Sequence, residues 1–434
     1  MLGFGLVSAR AGATLLSAPM VFTALGLLVG PAVFGWVELG VSGEAVRAIA
    51  EITLVLTLFS DASRIDLTRL RRGYGLPLRL LAVGLPLTVM AGALAGWLLF
   101  PALGLPALLL IAVILAPTDA ALGQAVVSDA SVPARIRQAL NVESGLNDGL
   151  SFPALLVIAS IAGTALGDGP RHSAAGWAAY VAGQVTLGPL VGILIGWAGA
   201  RAVNAAVAAH WMSRVFLRLS TVALALAAYA GAELAGGNGF IAAFAAGSVA
   251  GSVSAPLARG NGDFGETEGQ LLGLLVFALL GAVILPDVLE HLDWRHFAYA
   301  ALSLTLVRMV PVAMCLAGTG LRAPTVAFIG WFGPRGLASV IYLQLVMDGY
   351  RIDGVNAIAA TVAATVCLSI VLHGATATPF ARLYGRWVQR RGTAAEHKPV
   401  PEFDTRPPLS AIAGARTPDT RTATPPNPLQ ETST

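Results

Sequence analysis

Apolar segments long enough to cross a lipid bilayer recur along nearly the whole of this 434-residue chain, separated by short arginine-bearing loops. A helix crossing ~30 Å of hydrocarbon needs about 20 mostly apolar residues. Hydrophobic residues make up 56% of the chain and charged residues only 12%, against about 25% charged in soluble domains. A soluble fold could neither hide so much apolar surface nor cover itself with so few charges. This excludes an ordinary cytosolic enzyme, a disordered chain and a collagen-like rod. The apolar runs are continuous rather than alternating, which argues against a transmembrane β-barrel. The expectation is an all-α polytopic protein of the lipid bilayer.

Twelve spans are expected, at roughly 18–35, 46–63, 77–100, 104–127, 141–166, 174–203, 215–235, 238–253, 267–286, 296–318, 324–347 and 355–381. The 238–253 segment is short and rich in Gly and Ala. From Thr393 the composition turns to Pro, Thr and charge. Residues 1–392 therefore read as one transmembrane domain, and 393–434 as a disordered tail. With the C-terminus in the cytoplasm, Arg47, Arg171, Arg295 and Arg351 are the outer-face arginines, and the other loop arginines fall inside. Such a bias orients membrane proteins, and the expected location is a cell inner membrane, multi-pass. The net charge of +3 sits in those loops, so nucleic acid is not an expected partner. Cys315 and Cys367 lie within apolar segments and read as buried thiols rather than a disulfide framework.

Two spans are interrupted. One carries Ala116-Pro117-Thr118-Asp119 near its middle, the other Gly330-Trp331-Phe332-Gly333-Pro334-Arg335-Gly336. Broken helices in corresponding places of two halves point to a transporter site at the midplane. Unwound backbone is tolerated at that depth where it lines a cavity.

Charges inside a bilayer cost at least a few kcal/mol and mark function by default. Asp148 lies in Asn147-Asp148-Gly149 with no arginine within a helical turn of sequence. A carboxylate in such a setting can hold a proton or a cation but not both, which is what an exchanger needs. Asp119 either offers oxygen to a hard cation beside freed carbonyls or caps a half-helix, and the two roles are compatible. Glu143 points to another face of its helix and is expected to pair with Arg308, whose guanidinium stays charged. Arg335 reads either as a second brace or as a compensator of negative charge. Ser144 shares a face with Asp148, as a neutral ligand or as a small packing residue. Glu51 either joins the site or faces an aqueous funnel. Asp61 and Asp66 flank Arg64 as a solvated rim, and Glu233 reads as interfacial. The six histidines show no metal-ligand spacing, so no resident metal or other cofactor is expected. No nucleophile and base set supports a membrane-embedded enzyme.

The stretch APTDAALGQAVVSDASVPARIRQALNVESGLNDGLSFP (116–153) resembles the bacterial sodium/proton antiporters of the monovalent cation:proton antiporter-1 family. There a Thr-Asp on one broken helix faces an Asn-Asp block on the next, here Thr118-Asp119 and Glu143-Ser144-Gly145-Leu146-Asn147-Asp148. Similar motifs recur at Glu51–Asp61 and Gly333–Gly336. The resemblance covers about residues 15–390. It implies two inverted repeats with crossed broken helices, a core and a dimerisation subdomain, and a homodimer. It implies that Asp148 is occupied in turn by cation and proton, with cation ligands at Asp119, the Thr118 carbonyl, Ser144 and Glu51. Asn147 would brace the crossing helices, and Glu143 would pair with Arg308. The electrogenic branch has a second Asp where Asn147 stands and a Lys near Arg308, so one-for-one electroneutral exchange is implied. The family's usual thirteen helices leave the first one truncated here, at Leu2–Val7. The expected cargo is Na⁺, or K⁺ or Li⁺, against H⁺. A K⁺/H⁺ antiporter of the same fold and a channel-like or non-transporting ion sensor are the alternatives.

Overall fold

A computed structural model describes residues 6, 16–36, 44–64, 75–165, 174–391 and 395–400. The expectations for Asp66, Arg171, the truncated helix at Leu2–Val7 (Leu6 apart) and residues 401–434 of the tail lie outside these residues. Among the described residues every regular element is helical. In chain order they are α1 (Ala18–Val29), α2 (Glu44–Ser63), α3 (Gly75–Leu99), α4 (Leu105–Ile114), α5 (Ala120–Val127), α6 (Ala134–Ala165), α7 (Ala174–Ala208) and α8 (Arg214–Leu234). Then come α9 (Gly239–Val253), α10 (Ala255–Leu279, running on through a π turn to Leu289), α11 (Trp294–Leu304) and α12 (Leu306–Cys315). The last three are α13 (Ala323–Trp331), α14 (Leu337–Gly349) and α15 (Val355–Arg391). Each of the twelve expected spans coincides with one helix or one pair of half-helices.

Seven helical stretches among the described residues are long and apolar enough to cross a bilayer unaided. The remaining expected spans are half-helices, short helices, or, in α2, a helix carrying Glu44, Arg47, Glu51 and Asp61. The Gly/Ala-rich α9 can be short because it is interior. Ala242, Ala243, Ala246 and Ala250 are fully buried on it, and it packs between α7 and α2. A Cβ at Gly192 of α7 would lie 2.2 Å from the Ala242 carbonyl oxygen, and one at Gly251 of α9 1.9 Å from that of Ser63. Within a bilayer small residues let backbones approach, and van der Waals contact then holds the helices together.

Several element boundaries differ from the sequence expectation, among them the start of α10 at Ala255 rather than 267 and the end of α15 at Arg391 rather than 381. Helix α6 begins at Ala134, before the expected start at 141, because Arg135 and Arg137 extend a helix beyond its apolar part. The span expected at 296–318 is broken at Thr305, where the backbone turns to φ −113° and ψ −96°. No Pro or Gly marks that break, which re-aims the chain just before Arg308. Residues 395–400, within the segment expected as a disordered tail, lie back on the helices. Glu396 is buried there, and its Oε1 accepts from the Arg322 amide at 3.1 Å and the Thr325 hydroxyl at 2.9 Å. It thus supplies a negative charge at the N-terminus of α13. Arg135 of α6 donates to the Ala395 carbonyl.

Candidate functional site

Both interruptions arise from local chemistry. Pro117 and Pro334 have no amide to continue a helix. Helices α4 and α13 therefore stop at Ile114 and Trp331, and new helices start at Ala120 and Leu337. Each break leaves carbonyls at one half-helix end and amides at the next without helical partners. The two breaks satisfy each other.

Asp119 is the N-cap of α5, with Oδ1 accepting from the Leu122 amide at 2.9 Å. Its Oδ2 accepts from the Leu337 amide at 2.5 Å, at the start of α14. Its own amide donates to the Pro334 carbonyl at 2.8 Å. One carboxylate thus serves the positive ends of two half-helix dipoles. Gly336 is required here, because a Cβ at this position would lie 2.2 Å from Asp119 Oδ2.

Arg335 performs the converse task. Its Nη1 donates to the carbonyls of Ala116 at 2.7 Å and Pro117 at 3.1 Å, just beyond the C-terminal end of α4. The Ser339 hydroxyl donates to the Ile114 carbonyl at 2.8 Å. A cation at a helix C-terminus balances the dipole there. Helix α15 holds the second break from the other side. Ser369 accepts from the Arg335 amide at 2.7 Å, and His373 Nε2 lies 2.8 Å from the Trp331 carbonyl.

Helix α6 packs its polar face onto the first break. The Thr118 and Ser144 hydroxyl oxygens are 3.0 Å apart, and Asn147 Nδ2 donates to Thr118 Oγ1 at 2.6 Å. Glu143 meets Arg308 in a two-pronged pair, with Nη1–Oε1 at 2.5 Å and Nη2–Oε2 at 2.7 Å. Both partners are buried. Asp148 follows Asn147 on the same helix and is half-buried. Its main-chain carbonyl accepts from the Tyr342 hydroxyl of α14 at 2.5 Å. A cleft lined by Gly123, Asn141, Ser144, Phe332 and Pro334 reaches this cluster.

Thr118, Ser144 and Asn147 thus form one hydrogen-bonded cluster at the first break. Asp119 and Arg335 tie that break to the second, and Glu143 and Asp148 belong to the same helix α6 as Ser144 and Asn147. Glu51 is placed differently. It pairs with Arg47 at 2.8 Å and faces a second cleft, lined also by Gln344 and Asp348. Asp348 is eleven residues beyond Leu337 on α14, about 16 Å along a helix. Glu51 thus sits at this second cleft with its carboxylate on Arg47. Ser339, Tyr342, Ser369 and His373 were not legible as site residues. In sequence they read as ordinary polar or aromatic positions of long helices.

The chain is similar to known proteins in sequence and in fold. Residues 1–383 match the family model described as sodium/hydrogen exchanger, transmembrane. Na(+)/H(+) antiporter 2 of Zygosaccharomyces rouxii is 26% identical over 339 residues, covering 74% of this chain and 41% of that protein. A Na(+)/H(+) antiporter of Saccharomyces cerevisiae is 35% identical over 141 residues, 30% of this chain and 14% of that one. The chain therefore spans well under half the length of these curated relatives. The structure of the sodium proton antiporter MjNhaP1 from Methanocaldococcus jannaschii at pH 8 superposes with a TM-score of 0.70 at 20% identity. It covers 88% of this chain and 97% of that one. The fold is thus that of this antiporter structure, and the chain is a multi-pass membrane protein belonging to the transmembrane sodium/hydrogen exchanger family.

Proposed function

We propose that this chain is a secondary active antiporter that exchanges Na⁺ for H⁺ through Asp148, one for one. The observation that carries the reading is the division of labour among the buried acids. Glu143 is neutralised by Arg308, and Asp119 is held by the amides of two half-helices. Both serve the scaffold, and the Glu143–Asp148 block, by its resemblance, puts the exchange on Asp148. One such carboxylate carries either one monovalent cation or one proton per crossing, and the cycle moves no net charge.

The cation is held by Asp148 together with hard oxygen from Ser144, the Thr118 carbonyl and Asp119, whose carboxylate oxygens have acceptor capacity beyond one amide each. Asn147 holds Thr118 in place. Residues 1–392 form the exchanger domain, a core around the crossing and a dimerisation part through which two copies associate. Transport proceeds by movement of the core past that part, exposing the site to each side in turn. The loop arginines support an inner-membrane location with the C-terminus in the cytoplasm. Residues 393–434 form a cytoplasmic tail.

The test is proton flux in proteoliposomes on addition of Na⁺, K⁺ or Li⁺ in turn, with wild type and Asp148→Asn. Flux driven by Na⁺, absent in Asp148→Asn and unchanged under a voltage clamp, is the expected result. Flux driven by K⁺ alone changes the cargo but not the mechanism. Flux retained by Asp148→Asn overturns the assignment.

A further inference from the structure

We propose that Tyr342 is a positioning residue for the exchange, fixing the main chain of Asp148 to half-helix α14. The inference rests on the reading of Asp148 as the exchange carboxylate. Tyr342 is fully buried, and its hydroxyl donates to the Asp148 carbonyl at 2.5 Å across 194 residues of sequence. Its ring packs against Phe152 with centroids 5.5 Å apart, and Phe152 in turn meets Phe240 of α9 at 4.9 Å. The aromatic stack confines the ring and so aims the hydroxyl.

The carbonyl it reaches lies one residue before a gap in the α6 hydrogen-bond ladder. Pro153 sits inside that helix and supplies no amide for the Gly149 carbonyl four residues earlier. The hydrogen-bond ladder is therefore interrupted one residue beyond Asp148. Gly149 also has no side chain of its own there: a Cβ would lie 2.1 Å from the ring of Phe244 on α9. The Asp148 carbonyl keeps its helical donor, the Phe152 amide, and Tyr342 on α14 adds a second bond to it from outside the helix. The start of α14 is bonded to Asp119 through Leu337, and Tyr342 lies five residues on, about 7.5 Å along the helix. One short helix thus carries the cap carboxylate at its end and the hydroxyl that orients the exchange residue. A shift of α14 against α6 is delivered to the Asp148 peptide by this one bond.

Tyr342→Phe removes only the hydroxyl. In proteoliposomes it is expected to raise the half-saturating Na⁺ concentration about 2- to 10-fold, the span of one lost hydrogen bond, with a smaller change in maximal rate. Tyr299→Phe is the matched control. It also deletes a buried tyrosine hydroxyl that donates to a main-chain carbonyl, that of Gly92 at 3.2 Å, and is expected to leave half-saturation unchanged. Phe152→Leu loosens the Tyr342 ring without removing its hydroxyl and is expected to shift half-saturation in the same direction by less. A purely packing role would lower thermal stability and yield but leave half-saturation where it was. If Tyr342→Phe does not insert, Phe152→Leu alone decides. Wild-type half-saturation in the inserted variants, with Asp148→Asn inactive, overturns the role of Tyr342 alone. Exchange retained by Asp148→Asn overturns the reading of Asp148 and this inference with it.

Discussion

A guanidinium cannot shed its proton inside a protein, so the buried Arg308 and Arg335 must be answered by their neighbours. Arg308 is answered by a carboxylate, and Arg335 by two carbonyls of the first break. Glu143→Ala is therefore expected to cost about 3–5 kcal/mol of stability, because it leaves a buried charge unmatched. Thermal unfolding in detergent reads this, and the double variant Glu143→Leu with Arg308→Met should recover most of the loss. A single variant as stable as wild type would refute the ion pair's structural role. Gly336→Ala probes the buried Asp119. Its methyl would displace Asp119 Oδ2, and a reacting group misplaced by about 1 Å loses up to roughly 100-fold in rate. A drop in exchange of at least about tenfold is expected, in protein that still inserts.

At the scale of elements, the half-helices are the parts that could not stand alone. Each of α4, α5, α13 and α14 is shorter than a bilayer is thick, and each has a polar end at depth. Those ends are closed by the opposite break, by α6 and by α15. The N-terminus of α13 is closed instead by Glu396, from a segment that composition alone assigns to a disordered tail. Glu396→Ala would leave the Arg322 amide and Thr325 hydroxyl without their acceptor, at a cost of about 1–3 kcal/mol. A lowered unfolding midpoint is the expected result, and an unchanged one would show that residues 395–400 do not anchor α13. The breaks at Pro117 and Pro334 were legible because a missing amide is a local fact. The break at Thr305 was not, since no Pro or Gly stands there and its cause lies in the packing around it.

For the whole molecule, the loop arginines and the helix count make a joint statement about topology. Arg351 and Arg386 are both exposed, and they belong to opposite faces if the C-terminus is cytoplasmic. In a background with Cys315 and Cys367 replaced by Ala, Arg351→Cys should react with a membrane-impermeant thiol reagent on intact cells. Arg386→Cys should react only after permeabilisation. Labelling of both from outside would mean that a span has been miscounted.

The sequence alone determined the solvent, the helices and the places where two of them must break, because hydropathy and a proline's missing amide act within a few residues of chain. It also singled out Asp119, Glu143, Asp148, Arg308 and Arg335, because charge is costly in hydrocarbon wherever it occurs. What it could not determine was which group answers which. Leu337 finds Asp119 across 218 residues and Arg308 finds Glu143 across 165. Such partners are chosen by how helices stack, and stacking depends on glycines and alanines whose local signal is the same in every apolar helix. Tertiary structure therefore decided that Asp119 caps two helices at once, that Glu51 turns to Arg47, and that Tyr342 reaches the backbone of Asp148.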